Sequence, residues 1–192
     1  MPNFKGLEDL IHVSRCTPGR ISAEIAKLFH VRQTEVGLLW VEGAFLKFLF
    51  PMELQSAGPI PITSSAIAAR TAAGKKAQYF NQYPQVPHHT VFEHIKLSEA
   101  KPLSEMPDPI QKMMSAPILA DDGSVMGVVQ VCRKGMTSSI AGPDFNDDDL
   151  ETLRQAAARI AALMPEIDHS HGDSPNQMLR LQSAVGGSLP RL

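Results

Sequence analysis

The stretch that decides the fold is MSAPILADDGSVMGVVQVCR, residues 114–133. Two β-rich segments, 114–120 and 125–133, flank the sequence Asp-Asp-Gly-Ser at 121–124. Because Gly and Asp tolerate the backbone angles that a tight reversal requires, the stretch predicts an antiparallel β-hairpin.

The second segment of this hairpin is apolar at nearly every position, not at alternate ones. Strict alternation predicts one face with Met126, Val128 and Cys132 and an opposite face with Val125, Val129 and Val131. A strand that is apolar on both faces is covered on both faces, so this segment is predicted to lie in the middle of a sheet. Gly127 indicates close packing against a helix, another backbone or a ligand, and helix–sheet packing is the simplest of these interpretations.

The composition is that of a globular protein with one core. The chain has 192 residues, 43% hydrophobic and 20% charged, and a formal net charge of −2, which gives no basic footprint for nucleic acid or an anionic membrane surface. No apolar run reaches the roughly 20 residues that span a bilayer, and the first residues show no signal-peptide pattern. Cys16 and Cys132 lie far apart and form no disulfide framework, so we expect a cytoplasmic protein.

Periodicity and turn residues predict the element order α-α-β-β-α-β-α-β-β-α. Helices are expected at 7–14, 18–30, 66–73, 90–97 and 146–164, and strands at 35–41, 45–50, 77–81 and in the hairpin. Short turns between consecutive strands favour antiparallel pairing. The sequence thus predicts an α+β domain over residues 1–165, with a helix near 5–15 as a candidate interface element, and a polar tail or linker at 166–192.

Three segments resemble the GAF domain family. They are SAPILADDGSVMGVVQVCRKG (115–135), FNDDDLETLRQAAARIAALM (145–164) and IPITSSAIAARTAAGKKAQYFN (60–81). Pro117, Gly123, Gly127 and Val128 occupy the positions of the family's hairpin pattern, and the resemblance covers residues 19–164. It implies a central antiparallel sheet with helices on one face and a loop-covered pocket on the other. It also implies a small-molecule-sensing or dimerising role, since GAF domains are mostly such modules in signalling proteins.

Single residues bear on two properties of GAF subfamilies, cyclic-nucleotide binding and covalent bilin attachment. The cyclic-nucleotide-type signature Asn-Lys…Phe-x-x-x-Asp-Glu is matched at Lys134, Phe145 and Asp149, and the resemblance implies a structural ion pair between Lys134 and Asp149. Arg133 and Leu150 replace the Asn and the Glu, which argues against a cyclic nucleotide. No cysteine occurs between Arg20 and Val131, which argues against covalent bilin attachment.

The ligand pocket is predicted beside residues 62–94, where polar residues outside the core concentrate. The predicted ligand-binding residues are Trp40, Phe48, Ser64, Ser65, Phe80, Asn81, His88, His89, Thr90 and Phe92. The aromatic members are each also typical of a core, and the two serines also suit ordinary helix capping. The adjacent histidines suggest a polar lid, and no metal site is expected because no converging set of three or four ligands is apparent.

The function predicted from these features is a sensory or regulatory module that binds a small molecule without covalent attachment and without catalysis. No catalytic residue is assigned, and the sequence names no cofactor. The expected partners are the small molecule, a second copy of the chain and a separate signalling protein, with no nucleic acid or membrane. One alternative is a ligand-free dimerisation scaffold. A more remote one is a thiol-dependent enzyme similar to the free methionine sulfoxide reductases, which would need a nucleophilic and a resolving thiol.

Overall fold

The computed structural model describes residues 2–13, 16–85 and 108–167. One six-stranded antiparallel sheet has the strand order β3-β2-β1-β6-β5-β4. The strands are β1 (Val36–Glu42), β2 (Phe45–Phe50), β3 (Ile60–Pro61), β4 (Gln78–Phe80), β5 (Ile110–Leu119) and β6 (Val125–Lys134). The helices are α1 (Lys5–Leu10), α2 (Pro18–Phe29), α3 (Ile67–Gly74) and α4 (Asp147–Leu163). The predicted α+β class with a GAF-like sheet is confirmed.

The predicted hairpin is formed by β5 and β6, and β6 lies in the middle of the sheet, between β1 and β5. Gly123 adopts a φ of 76° in the turn, a conformation that L side chains rarely adopt. The Asp122 carboxylate accepts a hydrogen bond of 2.8 Å from the Ser124 amide, so both turn residues act as their chemistry predicts. β5 begins at Ile110, earlier than the sequence indicated.

Position 127 must be glycine because the neighbouring strand leaves no room for a side chain. The close contact is with a strand and not with a helix. A Cβ atom at this position would lie 2.2 Å from the Leu39 carbonyl oxygen of β1. The pairing of β5 with β6 shifts between Ile118 and Leu119, next to this glycine. Because of this shift, the predicted alternation fails at the start of β6. Met126 packs with Val129 and Val131, and Val125 packs with Val128, so each lies on the face opposite to the one predicted.

Three helices cover one face of the sheet, which we call the three-helix face. The apolar stripes of α1, α2 and α4 pack there on strand residues such as Leu38, Met114 and Val129. The Thr17 hydroxyl accepts a hydrogen bond from the Arg20 amide at the start of α2. Asn146 and the N3 residue of α4 form a reciprocal capping box, so both predicted caps are confirmed.

The opposite face, which we call the α3 face, carries α3 on two apolar clusters. The Val128 cluster contains Leu39, Leu46, Phe48, Leu54, Ile60, Ala66, Ala68, Ala69, Ala72 and Val128. The Met113 cluster contains Ile67, Tyr83, Ile110, Met113 and Cys132. The sequence assigned helices to one face and loops to the other, whereas the structure places a helix on each. The small alanines of α3 allow it to lie close to the strands.

Two predicted elements fall outside the described residues. These are the helical turns at 90–97 and the polar tail beyond Ile167. None of the helices in the described ranges has the length and apolar character needed to cross a membrane.

Candidate ligand-binding site

The predicted aromatic residues do not converge on one surface. Phe48 is buried in the Val128 cluster and Phe80 is half-buried against the Met113 cluster, so both lie on the α3 face. Trp40 is half-buried on the three-helix face. The structure therefore brings Phe48 and Phe80 to the same side of the sheet and separates Trp40 from them.

The two predicted serines precede α3 without capping it. The N-cap of α3 is Ala66, and no side chain makes a capping hydrogen bond there. Ser65 is exposed. The Ser64 hydroxyl is buried without a hydrogen-bond partner in the described structure, while its amide bonds to the Pro61 carbonyl oxygen. The capping interpretation of these serines is wrong.

Both polar atoms of the Asn81 side chain form hydrogen bonds within the protein. Its side-chain amide donates to the Phe145 carbonyl oxygen and its side-chain oxygen accepts from the Phe145 amide, each at 2.9 Å. Phe145 directly precedes the N-cap of α4, and the Arg133 guanidinium lies 4.7 Å from its ring centroid. Asn81 thus connects the end of β4 to the start of α4. The remaining predicted residues, His88, His89, Thr90 and Phe92, fall outside the described residues.

The predicted ion pair between Lys134 and Asp149 is not formed. The Lys134 ammonium donates to the Thr34 carbonyl oxygen at 3.3 Å, and the Asp149 carboxylate accepts from the Asn146 amide at 3.1 Å in the capping box. The buried carboxylate near Lys134 belongs to Glu35, which accepts a 2.8 Å hydrogen bond from the Lys134 backbone amide. Asp149 therefore caps α4 instead of pairing with Lys134.

An ion pair that is formed lies at the same end of the sheet. The buried Lys112 ammonium contacts the Asp144 carboxylate at 2.6 Å and the Gly142 carbonyl oxygen at 2.6 Å. These contacts join β5 to the loop before α4. Because both of these acceptors belong to the protein, we interpret this pair as a structural one.

The feature that the sequence interpretation missed is a row of polar residues across the α3 face. Gln130 of β6 pairs with Gly37 of β1 and with Ser115 of β5, and Ser115 pairs with Gln78 of β4. Directly paired residues of antiparallel strands share a face. We call Gln130, Ser115 and Gln78 the polar row; Gly37, at its β1 end, has no side chain.

The polar row is hydrogen-bonded to α3 through Thr71. The Thr71 and Ser115 hydroxyls are 2.8 Å apart, and the Gln78 side-chain amide donates to the Thr71 hydroxyl at 3.3 Å. The Gln130 side-chain amide donates to the Ser115 hydroxyl at 3.2 Å. Thr71 and Ser115 are 0% exposed and Gln130 is 2% exposed, so this network lies inside the protein and not at its edge.

The polar row divides the apolar surface of the α3 face. Val128 precedes Gln130 on β6 and belongs to one cluster, whereas Cys132 follows Gln130 and belongs to the other. Buried polar groups are costly unless hydrogen-bonded, and a hydrogen-bonded network inside an apolar face favours one packing arrangement of α3 on the sheet. A signal was present in the sequence, because Gln130 interrupts the otherwise apolar central strand.

Neither cysteine has the environment of a reactive thiol. Burial raises the pKa of Cys132 to about 12. Burial also raises the pKa of Cys16, opposed by the nearby Arg20. Cys16 packs on the three-helix face and Cys132 on the α3 face, so the sheet separates them. Within the described ranges, no three His, Cys, Asp or Glu side chains are grouped so as to hold a metal ion.

Comparison with known proteins defines the class. The GAF domain model matches residues 21–164, and the chain belongs to the GAF domain family. No curated protein matches the sequence.

Solved structures share the fold at low sequence identity. The GAF domain of an Acinetobacter phosphoenolpyruvate-protein phosphotransferase has a TM-score of 0.59 at 11% identity, covering 90% of this chain and 98% of that one. The reduced form of fRMsr of Staphylococcus aureus has a TM-score of 0.55 at 19% identity, covering 85% and 96%. The type II free methionine-R-sulfoxide reductase of Thermoplasma acidophilum has a TM-score of 0.51 at 16% identity, covering 82% and 96%. These solved structures include a GAF domain of a phosphotransferase and a free methionine-R-sulfoxide reductase, so the fold alone does not decide the function of this chain.

Proposed function

We propose that this GAF domain is a sensory or regulatory module that binds a small molecule, without covalent attachment, on the α3 face of its sheet. The observation that carries the proposal is the buried polar row between two apolar clusters. Small-molecule sites are mostly apolar and contain a few placed polar groups, and the α3 face has this composition. Phe48, Ser64 and Phe80 lie on or beside that face, and His88, His89, Thr90 and Phe92 remain proposed as residues that cover it.

The proposal assigns no catalysis. A thiol mechanism requires an accessible thiolate and a second thiol within reach of it. Burial keeps Cys16 and Cys132 protonated at neutral pH, and the sheet separates them. Both observations favour binding over a reductase activity of the kind found in the structural neighbours.

We also propose that the protein is a cytoplasmic homodimer that acts on a separate signalling protein. The ligand-free dimerisation scaffold remains the competing function. Ala156 and Ala157 of α4 are buried against the protein's own sheet, so these two residues are not available for a dimer contact.

The test is a thermal-shift screen of the full chain against cyclic nucleotides, other nucleotides, amino acids, small anions and haem. A ligand at about 100 times its Kd adds roughly 2.7 kcal/mol, which for a chain of this size raises Tm by about 5–10 °C. Thr71→Val removes the hydroxyl that α3 contributes to the polar row and should reduce the shift. Thr152→Val, a matched change on α4, should leave it unchanged.

Two results would contradict the proposal. One is a ligand that stabilises the Thr71→Val protein as much as the wild type. The other is no stabilisation by any compound together with a stable dimer in light scattering, which would favour the scaffold.

A further inference from the structure

The most exposed large apolar side chains of the described residues lie together in residues 135–146, which we call the β6–α4 loop. Met136 is 70% exposed and Ile140 is 71% exposed. The Thr137 carbonyl oxygen accepts a 3.0 Å hydrogen bond from the Ala141 amide, and this single helical turn places residues four apart on one side. We call Met136 and Ile140 the apolar pair. Exposed apolar side chains that are grouped in this way indicate a contact surface for another molecule.

The loop that carries the apolar pair is fixed at both of its ends. At its start, the Gly135 amide donates to the Pro109 carbonyl oxygen at 3.1 Å, and the Gln111 side-chain amide donates to the Gly135 carbonyl oxygen at 2.9 Å. Near its end, the Lys112 ammonium donates to the Gly142 carbonyl oxygen. Because these contacts order the loop before a partner binds, little conformational entropy is lost on binding.

Unpaired charges of opposite sign lie on the two sides of this loop. Lys134 pairs with Ile110 in the sheet, and Ile110 belongs to the Met113 cluster, so the Lys134 side chain lies on the α3 face. Asp147 and Asp148 are exposed in the first turn of α4, which packs on the three-helix face. Within the described ranges, neither the Lys134 ammonium nor these two carboxylates form an ion pair.

The other charged side chains around the loop have contacts inside the protein. These contacts are Lys112 with Asp144, Arg32 with Glu35 and Asp108, Asp149 with the Asn146 amide, and Arg133 with the Phe145 ring. The charges left for a partner are therefore one cation on the α3 side of the apolar pair and two carboxylates on the other side.

This arrangement of charges is self-complementary under twofold symmetry. A twofold axis that crosses the apolar pair exchanges the two sides of the loop, so Lys134 of each copy lies opposite the acidic start of α4 in the other copy. A partner of a single charge sign would be repelled on one side, and an anionic membrane surface would be repelled by the carboxylates. A second copy of the chain is favourable on both sides.

We propose that the β6–α4 loop is the contact surface of the homodimer, with the apolar pair at its centre and Lys134 facing Asp147 and Asp148 of the second copy. This inference rests on the homodimer proposed above and specifies its surface. Because each copy contributes only two large apolar side chains, the interface is small and the dimer is weak, with a Kd of about 0.1 mM.

The experiment is sedimentation velocity of the full chain at about 10 to 500 µM and low ionic strength, where surface charges are little screened. We expect the weight-average mass to rise with concentration, from near that of one chain towards that of two. Met136→Gln combined with Ile140→Gln should raise the dimer Kd about tenfold, because the apolar centre is lost. Met52→Gln, a matched change at another exposed methionine, should leave the Kd unchanged.

Charge reversal tests how the two copies are oriented. Lys134→Glu should raise the dimer Kd about fivefold, because each copy then presents a carboxylate to the acidic start of α4 in the other. Adding Asp147→Lys or Asp148→Lys to the same chain should restore dimerisation, since the reversed charges meet across the twofold axis. Lys76→Glu, at an exposed lysine after α3, is the matched control for net charge. All of these side chains lie at the surface, and thermal unfolding verifies that each variant is folded.

Three results would overturn the inference. One is a dimer that the combined Met136→Gln and Ile140→Gln substitutions do not weaken. Another is a loss caused by Lys134→Glu that neither lysine substitution restores. Both of these leave the homodimer in place and assign its surface to another part of the chain. The third is a protein that stays monomeric at every concentration, which would exclude the homodimer as well, whereas small-molecule binding is decided separately by the thermal-shift screen.

Discussion

Single residues of this domain are constrained by backbone contacts as strongly as by side-chain packing. Gly127 is the clearest case, because the Leu39 carbonyl oxygen occupies the position that a side chain would need. A glycine interrupting an apolar strand indicated a close approach, but only the structure identifies β1 as the approaching element. A sequence pattern can indicate that a position has no room for a side chain, but it does not identify the atom that occupies the space.

The first prediction concerns this glycine. Gly127→Ala should destabilise the protein by about 2–4 kcal/mol, because the added methyl group forces β1 and β6 apart. The measurement is the urea midpoint of unfolding. Gly74→Ala, at the end of α3 with nothing within 4 Å of the new atom, is the control and should be neutral or slightly stabilising. Equal effects of the two substitutions would contradict the close approach.

The second prediction concerns the pH dependence caused by Glu35. Burial opposes ionisation of this carboxyl, but hydrogen bonds from the Arg32 side chain, the Arg32 amide and the Lys134 amide outweigh it and lower its pKa below 4.5. The unfolded chain therefore takes up the proton first as the pH falls. The stabilisation is complete above about pH 4.5 and is lost as the pH falls through the folded-state pKa.

Glu35→Gln should accordingly destabilise the protein by about 1–3 kcal/mol at pH 7, and the difference should shrink as the pH falls below about 4.5 and through the folded-state pKa. Urea unfolding of both proteins across this range measures the difference. Glu53→Gln, an exposed substitution in the loop after β2, should show no such convergence. Parallel stability curves for wild type and Glu35→Gln would contradict the assignment.

At the scale of elements, β4 and α4 are joined by one side chain. Both hydrogen bonds of Asn81 go to the backbone of Phe145, immediately before the α4 cap. The segment between β4 and β5 is where the sequence placed half of the predicted ligand contacts. A change of position at the end of β4 therefore reaches α4 through two short, directional bonds.

The third prediction tests this connection. Asn81→Ala should destabilise the protein by about 1–3 kcal/mol, since the Phe145 amide and carbonyl groups both lose their partner. Hydrogen exchange of the Phe145 amide should accelerate while the amides of α2 remain protected. Gln82→Ala, at the exposed neighbouring position, is the control. Unchanged protection of the Phe145 amide in the Asn81→Ala protein would refute the connection.

For the whole molecule, the sheet separates two environments that the sequence could only partly distinguish. The hairpin, the caps at Thr17 and Asn146 and the antiparallel order were predictable, because turn chemistry and apolar periodicity are local. The placement of α3, the side of Trp40 and the partners of Lys134 and Asp149 depend on contacts between distant segments. The polar row is the same kind of feature, because its members come from three strands and their alignment follows from register.

The fourth prediction concerns the two thiols, which lie on opposite faces. At pH 8 neither Cys16 nor Cys132 should react with an aromatic disulfide reagent at an appreciable rate, since burial raises the pKa of both thiols. Denaturant should expose both, and the released thiolate absorbance gives their number. Oxidation of the folded protein should yield no internal disulfide. Rapid labelling of either cysteine in the folded chain would reopen the thiol-enzyme alternative.

The hydrogen bond between Thr71 and Ser115 also determines the register of α3. One helical turn in either direction from Thr71 brings Ile67, Ala68, Gly74 or Lys75 to its place, and none of these carries a hydroxyl. Alanine-rich surfaces slide easily, because each step replaces one small side chain by another. A single hydroxyl pair makes every shifted position leave a buried polar group unpaired, so α3 has one docked position. The helix is consequently either in register or displaced, and intermediate positions are disfavoured.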